Sequence, residues 1–232
     1  MLGITKNNKH SYNDFEMILL ERAIEYPKKN KIKHSVPFMD GEYDFSTIYG
    51  KQSYGERTLK YRFGISSNSM GQLMSKKQKI INWLYSGNKS KLVDDSEIGY
   101  YFLAEVESEV SEKIYINYAE ITVTFIAYPF KICDYEEGDI AWDDFNFELD
   151  VLQETKFDIN GVKNVKIHNV GATNVVPEVI CSSAMEVTKD NVTYKFNSGT
   201  SRDSVFELGI GQNDMTIKGN GTIEFKFRKE VL

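Results

Sequence analysis

"RTLKYRFGISSNSMGQLMSKKQKIINWLYSG", Arg57 to Gly87, changes its hydrophobic period partway along. Up to Ile65 the apolar side chains alternate: Leu59, Tyr61, Phe63 and Ile65 stand against Thr58, Lys60, Arg62 and Gly64. A period of two predicts a half-buried strand. Beyond Ser66, the residues Met70, Leu73, Met74, Ile80, Ile81 and Leu84 recur at i, i+3, i+4 spacing, which predicts a helix with one apolar face. Ser69 or Asn68 can cap its start, and Gly87 can end it in the left-handed conformation. Trp83 sits in the last turn and reads as an anchor against a sheet.

Outward from this stretch the strands continue. "YYFLAEVES" and "YAEITVTFIAYPF" alternate in the same way, the latter through Ile121, Val123, Phe125 and Ala127. The first half is therefore expected to be α+β, a sandwich or barrel-like sheet with one packed helix. The second half has no helical stretch. "NVKIHNVGATNVVPEVICSS" and "NVTYKFNSG" predict strands broken at Gly171 and Pro177. "SVFELGIGQNDMTIKGNGTIEFKFRKEVL" predicts three strands, with turns at Gly211 to Asn213 and at Gly219 to Gly221. Short strands at regular spacing indicate an all-β sandwich. Its aromatics Phe157, Tyr194, Phe196, Phe206, Phe225 and Phe227 fit the alternation and are expected in its core.

The two halves differ in charge. Residues 1–132 carry 18 basic and 16 acidic side chains, and the remaining residues 10 and 18, within a chain of 232 residues and net charge −6. The acidic surplus concentrates in "CDYEEGDIAWDDFNFELD", Cys133 to Asp150. Close-spaced carboxylates predict an exposed connector, with Trp142, Phe145 and Phe147 pinning it to a neighbouring surface. The expected division is 1–132, a connector 133–150, and a domain 151–232. A chain of this size buries roughly 70% of its unfolded surface, enough for real cores without staples.

An acidic balance without a basic patch argues against sequence-specific nucleic-acid binding. No apolar run approaches the roughly 18 residues of a membrane span, and no secretory h-region opens the chain. Cys133 and Cys181 make no disulfide framework. The expectation is a soluble chain made in a reducing cytoplasm.

Chemistry-bearing motifs are missing. His10, His34 and His168 lack metal-ligand spacing. No nucleophile elbow, phosphate-cradling glycine loop or dinucleotide fingerprint occurs. "GIGQNDM" is followed by no helix that would offer its N-terminus to a phosphate, so it reads as a hairpin. Cys181 falls in an apolar strand, and the Asp143–Asp144 pair reads as solvated. No catalytic residue, no metal and no cofactor is expected, and no enzyme.

"SVPFMDGEYDF", Ser35 to Phe45, invites an interaction instead. Asp40-Gly41 is a strong turn signal, and Pro37 fits an edge strand or an irregular lead-in. The stretch reads either as an ordinary hairpin or as a protruding aromatic-tipped arm for another chain to grip. Phe38, Asp40, Tyr43 and Phe45 are the candidate interface residues.

Several blocks in order resemble the distal tail proteins of siphophages that infect Gram-positive bacteria. These are "VPFMDGEYDF", the strand ending at Ile65, "INWLYSG", "KLVDDSEIGYYFLAEV" and "EITVTFIAYPF". In the second half, "NVGATNVVPEVICSS" and "FELGIGQNDMTIKGNGTIEFKFR" are similar to the family's galectin-like domain. The resemblance implies a structural hub of the tail tip, located in the virion and assembled in the host cytoplasm. Its N-terminal domains close into a hexameric ring, single or stacked in pairs, with the galectin-like domains outside. The ring joins the tail tube protein to the tail-associated hub or lysin protein, with receptor-binding proteins as further partners, and DNA passes through its lumen. Two other functions stand beside this one: a module binding host wall sugars, suggested by the galectin-like half, and a wall hydrolase.

Overall fold

The computed structural model describes residues 1–48, 50–107, 110–139, 146, 148 and 150–232. Trp142, Phe145 and Phe147, expected to pin the connector, and the Asp143–Asp144 pair lie outside the described residues. The chain divides into two compact units, Met1–Lys131 and Ile132–Val231. Both are mostly β-sheet, and one α-helix occurs among the described residues.

The first unit contains β1 (Ile4–Lys6), β2 (Lys9–His10), β3 (Ile18–Ile24), β4 (Lys33–His34), β5 (Tyr43–Asp44) and β6 (Arg57–Ser66). Then follow α1 (Met70–Leu84), β7 (Ser90–Asp94), β8 (Tyr100–Val106), β9 (Ser111–Tyr115) and β10 (Tyr118–Ala127). Its sheet runs β2-β1-β7-β8-β10-β6-β3, with β9 also on β10. The alternation read from sequence is realised in the β6–β10 ladder. Leu59, Tyr61, Phe63 and Ile65 are buried on one strand, and Ala119, Ile121, Val123, Phe125 and Ala127 on the other. The sheet curls on itself. Arg22 on β3 reaches the carboxylate of Asp94 on β7 at 3.2 Å, although three strands separate them in the sheet order.

Helix α1 starts where expected. Ser69 has extended dihedrals, and its hydroxyl accepts from the Gln72 amide. Its buried face is Leu73, Ile80, Trp83 and Leu84, while Met70 is about half exposed. The periodicity included Met70 because spacing sees a stripe's direction but not where the sheet beneath it ends. Trp83 is the anchor: its indole N–H donates to the Lys6 carbonyl at 2.9 Å, and its ring stacks on Phe15 at 4.7 Å. Gly87 does adopt positive φ, three residues beyond the last helical residue.

The second unit has β11 (Lys131–Cys133) at its start. Then come β12 (Lys156–Asn169), β13 (Glu178–Cys181), β14 (Met185–Lys189), β15 (Val192–Phe196), β16 (Gly199–Ser201), β17 (Gly211–Lys226) and β18 (Glu230–Val231). The order of its six-stranded sheet is β15-β14-β17-β13-β16, with β12 on the other side of β17, and β18 pairs with β11 outside that sheet. Of the six aromatics expected in the core, five are buried and Tyr194 packs against them.

One expectation fails here. The three strands and two turns predicted after Ser204 are a single sixteen-residue strand, β17, preceded by a loop. Gly211 opens this strand and is not the turn of a hairpin. Gly219 and Gly221 lie inside the ladder at φ +150° and +125°. They are required by close approach rather than by a turn, since a Cβ on Gly221 would stand 2.3 Å from Ser182 Oγ.

Cys133 and Cys181 are both free and buried, and burial raises both thiol pKa values.

Candidate assembly interface

Between Glu25 and Glu56 the chain leaves the sheet as a two-stranded arm. Backbone bonds continue the β3–β6 pairing outward, from Gly55 to Lys28, Asn30 to Ser53 and Phe45 to Ile32. β4 and β5 then pair through Lys33↔Asp44 and His34↔Tyr43. Ionic links fasten the two sides, Lys31–Asp44 at 3.0 Å and Lys33–Glu42 at 3.4 Å. Hydrogen bonds from Ser46 and the Lys31 ammonium hold the Asp44 carboxyl well below the usual carboxylate range.

The arm gives little to the core of its own unit, chiefly the Tyr54 ring against Phe130 at 5.4 Å near its root. Of its described residues only Pro27 and Ser46 are buried. Tyr26, Ile32, Val36, Phe38, Tyr43, Phe45 and Ile48 are all exposed. Each such side chain forgoes about 1.5–3 kcal/mol that burial would supply. A row of them on one projection makes the arm a candidate interaction surface.

All four candidate residues lie on this arm. Phe38, fully exposed, is held at φ +68° in the loop between β4 and β5. That conformation costs a non-glycine residue of order 1 kcal/mol and turns the ring into solvent. Asp40 is exposed beside Gly41, whose φ is +87°. The Asp-Gly pair sits within an eight-residue loop and not in a tight two-residue turn. The Tyr43 and Phe45 rings face one another at 6.1 Å.

At the root of the arm, Arg57 is buried between two rings, 5.5 Å from the centroid of Phe102 and 5.9 Å from that of Tyr26. Its Nε and Nη2 have no hydrogen-bond partner, and desolvation lowers its pKa.

Sequence reasoning missed two further features. Among the described residues β3 ends the sheet order and β9 pairs only with β10, so each leaves an edge open. Every residue of β9 is exposed, and Ile114, Tyr115 and Ile116 project at its tip. The signal was present in "KIYINY", where alternate apolar residues flank Asn117, a residue with positive φ.

The histidines are not brought together. His10 is oriented by backbone N–H groups of Tyr12 and Asn13 on Nδ1 and by Asp95 at 2.9 Å on Nε2. Among the described residues no group of three or more His, Cys, Asp or Glu is placed to hold a metal. No helix there is long and apolar enough to cross a membrane.

The chain matches the phage tail protein RIFT-related domain family over residues 8–127, more than half of its length. No curated protein matches it. Among solved structures it is similar to the SPP1 Dit (gp 19.1) protein, described as a paradigm of the hub adsorption apparatus in phages infecting Gram-positive hosts. That likeness has a TM-score of 0.68 at 12% identity and covers 98% of this chain and 99% of that one. A chain of the phage P2 baseplate in its activated conformation with Ca is also similar, with a TM-score of 0.46 and 11% identity, over 100% and 97% of the two chains. The chain therefore belongs to the siphophage tail proteins built on the RIFT-related domain, with the fold of a distal tail hub protein.

Proposed function

We propose that the chain is a structural hub of a siphophage tail tip. In this reading residues 1–132 form a hexameric ring, residues 133–150 are a connector, and residues 151–232 are a galectin-like sandwich held outside it. The ring joins the tail tube protein above to the tail-associated hub or lysin protein below, and its lumen passes DNA. Receptor-binding proteins attach at its periphery.

The observation that carries this is the arm. Ile32, Val36, Phe38, Tyr43, Phe45 and Ile48 of the arm are exposed, and Phe38 at its loop and the facing Tyr43 and Phe45 rings are side chains that another copy would bury. The open edges of β3 and β9 support it further. They are different patches on one subunit, and a ring needs heterologous contacts of that kind, whose rotation closes.

The sugar-binding alternative would need an exposed aromatic platform. The six aromatics at Phe157, Tyr194, Phe196, Phe206, Phe225 and Phe227 supply the sandwich core instead. Light scattering of the purified chain, with negative-stain imaging across concentrations, tests the ring. Six-fold particles that dissociate in Tyr43→Ala and Phe38→Ala are expected. A chain that stays monomeric at every concentration, or variants that assemble like the wild type, would refute the reading.

A further inference from the structure

Among the described residues β12 has one ladder partner, β17, with which it pairs over fourteen residues in unbroken register. Its other side is the longest open edge among the described strands of the second unit. In an antiparallel ladder each residue sends its N–H and C=O to the same side, and successive residues alternate. The direction of each residue follows from three bonds. Phe225 donates to the Thr155 carbonyl, and Gly161 donates to Asn220 Oδ1, so odd-numbered residues face β17. His168 faces away, because its N–H donates to Gln153 Oε1 and its C=O accepts from Gln153 Nε2, both at 2.8 Å.

Gln153 thus closes the last outward position of the edge with its amide. Lys156, Asp158, Asn160, Val162, Asn164 and Lys166 share that outward direction and have no such cover among the described residues. All six are exposed. Only the Asp158 carbonyl is approached, by Lys163 Nζ at 3.4 Å. The uncapped run is about 35 Å long at the usual strand rise.

Such an edge is either blunted or used. The charge on it indicates use, and by what. Lys156, Lys163 and Lys166 stand against Asp158 on this strand. Lys166 also lies 3.8 Å from Asp214 on β17, and Glu224 pairs across from Lys156, yet Lys218 and Lys226 balance these two on β17. The β12–β17 pair so keeps a basic excess in a unit whose residues 133–232 carry 10 basic and 18 acidic side chains. A local excess of lysine on an acidic unit repels a second copy less than it attracts an acidic strand.

We propose that the β12 edge is a β-augmentation site, which takes an extended acidic segment of another protein as an additional strand. Main-chain bonds to the outward residues supply affinity, and the three lysines select for carboxylates. The assignment does not depend on ring formation, since it concerns only the second unit.

The test uses the full chain and two twelve-residue peptides, one alternating threonine with glutamate and one alternating threonine with lysine. Hydrogen exchange resolved by residue should show the acidic peptide slowing the amides of 158, 160, 162, 164 and 166 at least tenfold. Odd-numbered neighbours, already bonded to β17, should not change. The lysine peptide should give no protection. Val162→Pro removes one outward donor without touching the β17 ladder and should abolish the effect. K163E/K166E, which alters only exposed side chains, should weaken it at least tenfold, as should raised salt. Absence of protection, equal protection by both peptides, or undiminished binding by K163E/K166E would overturn the proposal.

Discussion

Tyr61 donates its phenol hydrogen to Asp94 Oδ2 at 2.9 Å, although β6 and β7 are separated by β10 and β8 in the sheet. A flat sheet would hold these strands about 14 Å apart, at roughly 4.8 Å per step. The contact exists because the sheet closes over its own core. Both side chains are buried, and Asp94 takes further bonds from Arg22 and the Ser96 amide. Burial, then the neighbouring carboxylate, raises the Tyr61 pKa far above the ordinary phenol range.

Tyr61→Phe should therefore destabilise the first unit by about 1–3 kcal/mol, the cost of leaving a buried acceptor short of a donor. Urea unfolding should show a lower midpoint with an unchanged slope, since the surface exposed on unfolding is the same.

Arg57 should behave in the opposite way. Two nitrogens of its buried guanidinium have no hydrogen-bond partner among the described residues, and desolvation outweighs the attraction to Glu97. Arg57→Met therefore exchanges that cost for apolar packing against Phe102 and Tyr26. The thermal midpoint should hold or rise, by up to about 1–4 kcal/mol of stability if buried ion-pair replacements are a guide. A fall would mean that the guanidinium has an anionic partner in solution.

The glycines of β12 and β17 should separate into two classes. Gly161 has φ +79° and open space around its Cβ direction, so Gly161→Ala costs only the backbone strain, of order 1–3 kcal/mol. Gly221→Ala adds a clash with Ser182 Oγ, whose oxygen is itself the acceptor for the Thr222 amide. Its melting temperature should fall further than that of the Gly161 variant.

A pH dependence follows from Glu137, which is buried and bonded to Gln153 at 3.0 Å. Burial raises its pKa above the unfolded value, with Gln153 and Lys229 opposing. Between the two pKa values the folded state binds more protons than the unfolded state, so stability falls as pH rises through that window. Glu137→Gln should flatten this segment of the stability–pH profile above the unfolded carboxylate range of about 4.3. An identical profile in the variant would show that Glu137 ionises alike in both states.

Phe38→Ser should leave the unfolding midpoint within about 0.5 kcal/mol of the wild type, as expected for a side chain with no neighbours. Calorimetry of the two proteins at low concentration, where assembly does not contribute, is the direct check.

The local elements were legible where one physical signal dominated. Alternation over Leu59–Ile65 and Ile121–Ala127 placed two central strands, because each has one face in the core and one outside it. Helix α1 followed from its spacing and from Ser69, whose hydroxyl satisfies an amide the helix leaves unpaired. The arm was legible as a hairpin from Asp40-Gly41, and the burial of Cys181 from the apolar strand around it.

Less was legible where a residue's role depends on partners far along the chain. Gly219 and Gly221 read as turn residues, yet they serve a strand that passes close to Ser182 and Met185. Glycine permits both roles, and only the packing distinguishes them. Met70 shares the helical stripe but lies beyond the sheet that would cover it.

By itself, the sequence determined the β-rich class, the single helix, the composition of both cores and the aromatic character of the arm, since these depend on period and burial within a few residues. The tertiary structure alone decided which edges stay open, that β3 closes back on β7, and that Ile32, Val36, Phe38, Tyr43, Phe45 and Ile48 are left exposed on the arm. Those outcomes depend on which strands pair across long separations. Local periodicity carries no record of pairing, because the same alternation suits a central strand, an edge strand and an arm.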